Sequence, residues 1–236
     1  MTSLVGVLVP AGGLGLRLGP GGPKALREVA GEPLLVHAVR RLRECPSVGP
    51  VVVAAPAGDV EAVRALLEAY DVVVVAGGAE RQDSVRAALG ALPSEVDLVL
   101  VHDAARCFTP VDVVEAVVGA LRGGADAVVP VLPVADTVKR VEGATVVATV
   151  DRSTLRTVQT PQGFRRTVLQ QAHAAAPGAL TDDAALVEAA GLTVVTVPGS
   201  DEAFKITRPL DLLLAEALLA VLAPAAGRHA GGRHAG

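Results

Sequence analysis

Aromatic residues are scarce in this chain, which has three phenylalanines, one tyrosine and no tryptophan among 236 residues. Proteins that bind single-stranded nucleic acid use aromatic rings as stacking platforms, so this scarcity argues against that class. A formal net charge of −4 likewise argues against a general nucleic-acid surface. We therefore expect a small-molecule partner and no nucleic acid.

Long apolar runs and a cysteine framework are also missing. No apolar stretch approaches the roughly 20 residues that a membrane span requires, although 51% of the residues are hydrophobic. The amino terminus has no basic segment leading into an apolar stretch with a small-residue cleavage site. The two cysteines, Cys45 and Cys107, have neither zinc-site nor disulfide spacing. We expect a soluble protein of the reducing cytoplasm, with no membrane partner.

Unalternating aliphatic runs recur along the chain, which is typical of strands buried on both faces of a sheet. They lie at Leu4–Val9, Val51–Ala55, Val72–Ala76, Leu98–Val101, Ala127–Val131 and Thr193–Val197. Amphipathic helical patterns separate most of them, such as the one from Asp59, the expected N-cap, to Tyr70. The alternation predicts a single α/β domain with a mainly parallel sheet and helices on both faces.

Two segments fall outside this alternation. Val134 to Arg152 contains two strand-like runs joined by a turn at Glu142-Gly143-Ala144, which predicts an inserted β-hairpin. Such a hairpin is either an arm or an ordinary hairpin at a sheet edge. After Pro224 the sequence GRHAG occurs twice, and this composition favours a disordered tail over residues 224–236 rather than a loose metal site. The domain is then expected to span residues 1–223.

Polar clusters follow four of the predicted strands. The glycine-rich loop PAGGLGLRLGPGGPK follows the first strand, GGAERQDS the third and HDAAR the fourth, while Lys205 comes after the last. Ligands of an open parallel sheet bind beyond the carboxyl ends of its strands, where loops and helix N-termini meet. One charged loop is often only solvated, but four on the same edge favour a shared binding site.

The glycine-rich loop differs from the two best-known phosphate-binding motifs. A dinucleotide fingerprint needs a glycine where Leu18 stands and an acidic residue at the end of the second strand, where Ala55 stands. A Walker loop needs a hydroxyl residue after its lysine, but Ala25 follows Lys24. The loop amides can still approach phosphates, and Arg17 and Lys24 can neutralise a triphosphate and the departing pyrophosphate. The alternative, a glycine turn with solvated charges, would lose folding entropy without packing in return.

The HDAAR motif adds an acidic group at the same edge. Asp103, at the end of a buried strand, is suited to hold Mg²⁺ between phosphate oxygens, and Arg106 is suited to meet a second phosphate. One carboxylate is enough, because Mg²⁺ takes its other ligands from phosphates and water. The competing interpretation makes Asp103 a helix N-cap.

Eight motifs, taken in order, make the chain similar to the 2-C-methyl-D-erythritol 4-phosphate cytidylyltransferase family over nearly all of residues 3–222. They are PAGGLGLRL…PK, GGAERQDSV, VHDAAR, DTVKR, TVDR, TPQ, TDDAA and KITRP. The resemblance implies a Rossmann-like nucleotidyltransferase domain that uses Mg²⁺ to transfer CMP from CTP to methylerythritol phosphate, in non-mevalonate isoprenoid biosynthesis. It also implies a homodimer in which residues 132–160 form an arm that crosses to the second subunit.

The resemblance further implies the roles of individual residues. Nucleotide contacts are expected from Ala11, Gly12, Gly13, Gly15, Gly78, Ser84 and Asp103, with Asp103 also near the metal. Acceptor contacts are expected from Arg106, Thr137, Thr160 and Thr207. Catalytic charges are expected from Arg17, Lys24, Arg152 and Lys205, with Arg152 serving the neighbouring subunit. The attacking phosphate has a second pKa of about 6, so no general base is needed and catalysis rests on positioning and charge neutralisation.

Four positions depart from the family pattern. Ala25, Ala79, Cys107 and Ala203 stand where glutamine, an acidic residue, proline and asparagine are usual. We expect Cys107 to be a small buried residue rather than a nucleophile, because no histidine partner is evident.

Other functions remain alternatives to methylerythritol phosphate. A ribitol 5-phosphate cytidylyltransferase shares the fold and the loop, and only Ala105 leans against it. The arm and KITRP disfavour a molybdenum-cofactor guanylyltransferase. An inactive nucleotide-binding protein, from a different class, would not need intact Arg17, Lys24 and Asp103.

Overall fold

A central β-sheet covered by helices organises the computed structural model, which describes residues 3–175 and 182–222. The strands are β1 Leu4–Pro10, β2 Glu28–Val29, β3 Glu32–Pro33, β4 Val48–Ala55, β5 Val73–Ala76, β6 Val96–Val101, β7 Ala127–Pro133, β8 Val138–Glu142, β9 Thr145–Val150, β10 Arg156–Val158, β11 Gln162–Arg165 and β12 Val194–Pro198. The α-helices are α1 Leu34–Arg43, α2 Val60–Leu66, α3 Arg81–Ala91, α4 Val111–Arg122, α5 Arg166–Ala175, α6 Asp183–Ala189 and α7 Pro209–Leu222. The predicted tail, residues 224–236, lies outside the described residues.

The central sheet is mainly parallel, as predicted. Its order is β10-β7-β11-β6-β1-β4-β5, with β12 also paired to β7. The pairs β1–β4, β1–β6, β4–β5 and β7–β12 are parallel, whereas β10 and β11 run antiparallel to their neighbours. All six strands indicated by the aliphatic runs form, with ends moved by a few residues. The two antiparallel strands were not predicted, because their short sequences carry no aliphatic run.

Successive side chains of the central strands pack into two different cores. In β1, Val7 and Val9 face a core that includes residues of α1, α2 and α4, whereas Leu8 faces a core that includes residues of α3, α5 and α6. Both faces of the sheet are therefore covered, which explains why the strand sequences do not alternate between apolar and polar residues. Among the described residues, no helix is long and apolar enough to cross a membrane.

Helix α2 is shorter than its apolar pattern predicted. It ends at Leu66, and a separate 3-10 turn covers Glu68–Tyr70. The guanidinium of Arg43, on α1, donates to the carbonyl oxygens of Tyr70 and Asp71 and so ties the end of this turn to α1. Asp59 occupies the N-cap position, but its side chain makes no capping hydrogen bond, so the predicted cap is wrong in that respect.

The predicted hairpin forms from β8 and β9, which pair antiparallel across a turn where Gly143 adopts a φ of 58°. These strands make a two-stranded sheet of their own and do not extend an edge of the central sheet. Most of the hairpin is exposed, including Val141 at 55% and Val146 at 56%. The hairpin is therefore a separate surface element rather than an ordinary edge hairpin, whereas Arg156–Val158, also inside the predicted arm of residues 132–160, pairs with β7 in the central sheet. The role of this segment in a dimer stays a prediction.

Candidate active site

A cavity of about 560 Å³ lies at the carboxyl ends of β1, β5 and β6. It brings together the polar clusters that the sequence placed on this edge. The predicted site residues in its wall are Ala11, Gly12, Gly13, Gly15, Arg17, Lys24, Gly78, Ser84, Asp103, Lys205 and Thr207. Thr207, expected to contact the acceptor, thus lies in the same wall as the residues expected to contact the nucleotide.

A smaller cavity of about 190 Å³ shares part of this wall. Arg81, Asp103 and Lys205 line both cavities, and the predicted acceptor residues Arg106 and Thr160 line the smaller one. The shared side chains form a border between two compartments. Each compartment is large enough to accept part of a phosphorylated ligand.

Two predicted site residues lie elsewhere. Thr137 and Arg152 line neither cavity and are exposed at the two ends of the hairpin. The Arg152 guanidinium donates to the carbonyl oxygen of Ala135, at the start of the same arm. Within one chain, therefore, the arm does not bring these two side chains to the site.

The glycine-rich loop folds back on itself so that its two ends meet. The backbone N–H of Lys24 donates to the carbonyl oxygen of Gly13 at 2.9 Å. Gly15 adopts a left-handed φ of 65°, and a Cβ at this position would lie 2.9 Å from the Cβ of Lys24. Glycine is therefore favoured at position 15, both by its backbone conformation and by the close approach of Lys24. The exposed Arg17 lies in the 3-10 turn that Gly15 starts.

Arg27 anchors the outer half of this loop, which the sequence did not reveal. Its Nη1 donates to the carbonyl oxygens of Gly19 at 3.1 Å and Pro20 at 2.8 Å. The motif that carried the prediction ends at Lys24, so no spacing signal reached Arg27. Hydrogen bonds thus hold the loop at two places, where Lys24 meets Gly13 and in the outer half at Gly19 and Pro20.

The GGAERQDS segment forms the opposite wall at the N-terminus of α3. The backbone N–H of Gly78 donates to Ser84 Oγ at 3.2 Å, and a Cβ on Gly78 would lie 2.1 Å from the Cβ of Asp83. Glu80 and Asp83 form a reciprocal capping box that starts the helix. The motif therefore encodes a tight approach of loop to helix, with the helix N-terminus directed at the site.

Asp103 carries the negative charge at the border of the two cavities. Its Oδ2 accepts a hydrogen bond from Lys205 Nζ at 2.6 Å, and its backbone N–H donates to Thr160 Oγ1 at 3.0 Å. Burial alone would raise the pKa of Asp103, but Lys205 and then Arg81 outweigh it and hold the pKa well below its usual range. The N-cap interpretation of Asp103 is wrong, because turns and not a helix follow this residue.

Positive charge dominates the rest of the site. Burial, and then repulsion by Lys205, lower the pKa of Lys24 to about 8. Arg106 is held by backbone oxygens, since Nη1 donates to Ala203 at 2.7 Å and Nη2 to Val158 at 3.1 Å, while its buried Nε has no partner. Cations brought together in this way favour an anionic ligand such as a polyphosphate.

The four departures from the family pattern fall into two groups. Ala25 and Ala79 line the larger cavity, whereas Ala203 and Cys107 are buried and line neither. Burial raises the pKa of the Cys107 thiol to about 12. A protonated thiol with no path to the site is not a nucleophile, which agrees with the sequence prediction.

Arg81, at the border of the two cavities, lies in the motif GGAERQDS that was predicted to reach the site, but it was not predicted as a site residue itself. Its Nη1 donates to Asp183 Oδ2 at 2.5 Å, and Asp183 is fully buried. Asp182 and Gln162 also line the smaller cavity and are joined by a hydrogen bond of 2.7 Å. These contacts join segments far apart in sequence, so local spacing could not show them.

A cation-bearing glycine loop at the carboxyl edge of a mainly parallel sheet is typical of nucleotide-binding α/β proteins. The likeness to solved cytidylyltransferase structures narrows the class to Rossmann-like nucleotidyltransferases. The family model described as IspD, 2-C-methyl-D-erythritol 4-phosphate cytidylyltransferase, matches residues 5–221. The chain belongs to this family.

Individual relatives agree with this assignment. An enzyme of this name from Saccharopolyspora erythraea is 60% identical over 219 residues, covering 90% of this chain and 98% of the relative. The one from Streptomyces coelicolor is 55% identical over 226 residues, covering 90% and 84%. The crystal structure of the enzyme from Thermus thermophilus has a TM-score of 0.77 and 42% identity, over 90% of this chain and 97% of that one. These relatives give no support to the ribitol phosphate alternative.

Proposed function

We propose that this protein transfers CMP from CTP to 2-C-methyl-D-erythritol 4-phosphate, forming 4-diphosphocytidyl-2-C-methyl-D-erythritol and pyrophosphate. The observation that carries the proposal is the pair of cavities that share Arg81, Asp103 and Lys205. An enzyme that joins two phosphorylated molecules must hold both with their reacting groups at a common border. Membership of the family supports the identity of the two substrates.

The larger cavity is the proposed site of CTP. Its volume of about 560 Å³ lies within the usual range for a ligand of this size. Cytosine and ribose would lie against Gly12, Gly78 and Ser84, at the wall built by the first loop and α3. The triphosphate would lie along the loop amides, with Lys24 and Arg17 neutralising the β- and γ-phosphates as pyrophosphate leaves.

The smaller cavity is the proposed site of the acceptor phosphate. An acceptor phosphate oxygen attacks the α-phosphorus of CTP, one new P–O bond forms, and the bond to the bridging oxygen of pyrophosphate breaks. Arg106, Thr160 and Lys205 would hold the attacking anion against the repulsion of the triphosphate. No base is needed, and the nearby His102 is unsuited to be one, since burial lowers its pKa to about 4.

Mg²⁺ is the proposed cofactor, and the donor set of the site fits it. Asp103 Oδ1 is paired with the Arg81 guanidinium at 3.6 Å, too far for a hydrogen bond, so it can still accept a metal ion or a metal-bound water. Across residues 3–175 and 182–222 no three acidic, histidine or cysteine side chains cluster as a metal site. A site with the single carboxylate of Asp103 suits an ion that takes most of its ligands from phosphates and water. When bound, the ion would neutralise phosphate charge.

A homodimer joined through the arm, residues 132–160, is part of the proposal. Thr137 and Arg152 line neither cavity of their own chain, and this supports the proposal that they contact the site of a second subunit. The exposed valines of the hairpin, including Val141 and Val146, offer an apolar surface for that contact. A cytoplasmic location remains a prediction, and the free buried thiols of the two cysteines are compatible with it.

A pyrophosphate-release screen tests the proposed reaction. CTP, UTP, GTP and ATP are each combined with methylerythritol 4-phosphate, ribitol 5-phosphate and a sugar phosphate, with and without Mg²⁺. We expect release above background only with CTP, methylerythritol 4-phosphate and the metal. A better rate with ribitol 5-phosphate would overturn the acceptor, and no release with any pair would overturn catalysis.

A further inference from the structure

A chain of charged and polar side chains leads from the domain interior to the border of the two cavities. His173 Nε2 lies 2.9 Å from Asp183 Oδ1, and Arg81 Nη1 donates to Asp183 Oδ2 at 2.5 Å. Arg81 Nη2 then lies 3.6 Å from Asp103 Oδ1, and Lys205 Nζ is 2.6 Å from Asp103 Oδ2. These side chains join α5, α6 and α3 to the site.

The inner part of this chain is buried. The side chain of Asp183 is fully buried and that of His173 is 3% exposed. Burial alone would raise the pKa of Asp183, but hydrogen bonds and charges from His173 and Arg81 outweigh it and lower the pKa. Asp183 is therefore an anion that fixes the Arg81 guanidinium in one place. Buried ion pairs of this kind are often no more stable than apolar packing, so stability alone is a weak reason for the pair.

One nitrogen of Arg81 has no hydrogen-bond partner in the structure. Nη1 is used by Asp183, whereas Nη2 is buried, makes no hydrogen bond and faces the carboxylate of Asp103. A buried unpartnered donor on a charged group is unfavourable and calls for an explanation. The explanation lies in the direction of Nη2, which faces Asp103 in the wall that the two cavities share.

We propose that Arg81 is a positioning residue for the reaction. Anchored by Asp183, its guanidinium holds a positive charge 3.6 Å from one oxygen of Asp103 while Lys205 hydrogen-bonds the other. This charge orients the carboxylate, so that the Lys205 ammonium is held at the border where the two phosphates meet. The inference rests on the proposed function. Without the guanidinium, the Asp103 carboxylate can rotate and release Lys205 from its place.

A double-mutant cycle tests this role through kcat and KM for methylerythritol 4-phosphate. Arg81→Lys keeps the charge but loses the planar two-nitrogen geometry, and Asp103→Asn removes the group that Arg81 is proposed to orient. We expect Arg81→Lys to lower kcat/KM about tenfold in the wild-type background but about threefold or less beside Asp103→Asn. Asp183→Asn removes the anchoring charge. It should likewise lower kcat/KM more in the wild-type background than beside Asp103→Asn.

Arg86→Lys is the matched control, because Arg86 lies on the same helix and pairs with Asp83 at 2.8 Å on the surface. It should change kcat/KM less than about twofold in either background. The folded fraction of each variant is measured by thermal unfolding, since a purely structural defect would lower kcat with the amount of folded enzyme and leave KM unchanged.

Equal losses from Arg81→Lys in both backgrounds, or no loss in the wild-type background, would overturn the positioning role. If Arg81→Lys does not fold, the Asp183→Asn cycle decides by the same criterion. Wild-type turnover is measured alongside, so a failure of the proposed function would appear as an inactive wild type. A failure of the positioning role would appear as additive losses in an active one.

Discussion

Lys205 donates a hydrogen bond of 2.6 Å from Nζ to Oδ2 of Asp103, a residue 102 positions earlier in the chain. A backbone hydrogen bond of 2.9 Å from Ile206 to Ala105 lies beside this ion pair and fixes the two segments to each other. The border between the two cavities is thus built on main-chain contact rather than on flexible side chains alone. The account of the site depends on the cations assembled around this border.

Removing either cation of the glycine-rich loop should mainly affect turnover. We expect Lys24→Ala and Arg17→Ala each to lower kcat by roughly two orders of magnitude or more, the usual scale for losing a charge contact in the transition state. The affinity for CTP, measured by titration without acceptor, should change less. Near-normal turnover in either variant would show that the loop only covers the nucleotide.

The rate should depend on pH through Lys24. Because the pKa of Lys24 is lowered to about 8 in the free protein, this side chain loses its proton as the pH rises through that value. The kcat/KM for CTP, which reports the free enzyme, should therefore fall above pH 8. Lys24→Arg stays protonated over this range and should lose the basic limb, even if its rate is lower. An unchanged basic limb in Lys24→Arg would assign the titration to another group.

Substituting Gly15 should disturb catalysis more than substituting a nearby glycine of similar conformation. Gly15→Ala adds a Cβ 2.9 Å from that of Lys24. At Gly22, which has a φ of 81°, an added Cβ would meet open space. Both variants carry backbone strain, but only Gly15→Ala displaces Lys24. We expect kcat/KM for CTP to be about tenfold lower in Gly15→Ala than in Gly22→Ala. Equal losses would mean that backbone strain alone explains the effect.

Subunit mixing tests the role of the arm. If each site draws its loop from one chain and Arg152 from the other, a heterodimer of Lys24→Ala and Arg152→Ala subunits has one site with both residues intact. Mixing the two inactive variants should then restore about half of the wild-type activity per heterodimer. Mixtures of each variant with itself serve as controls. If verified heterodimers remain inactive, Arg152 does not act across the interface.

Local sequence patterns predicted the fold better than they predicted the contacts of the site. Aliphatic runs indicated the parallel strands because both faces of those strands are buried, and glycine spacing indicated the loop that holds Lys24. The antiparallel strands β10 and β11 carried no such run. Arg81 and Arg27 also escaped prediction as individual residues, because their partners Asp183 and Gly19 are set by tertiary packing and by the path of a loop.

The central claim, CMP transfer to methylerythritol 4-phosphate, is tested most directly by a competition followed by ³¹P NMR. Limiting CTP is added to the enzyme with Mg²⁺ and equimolar methylerythritol 4-phosphate and ribitol 5-phosphate, with the much slower Lys24→Ala variant as the control over the same time. The account predicts that the diphosphate signals of cytidyl methylerythritol appear together with pyrophosphate while ribitol 5-phosphate stays unchanged. Formation of the ribitol product in preference, or CTP left intact beside both acceptors, would contradict it.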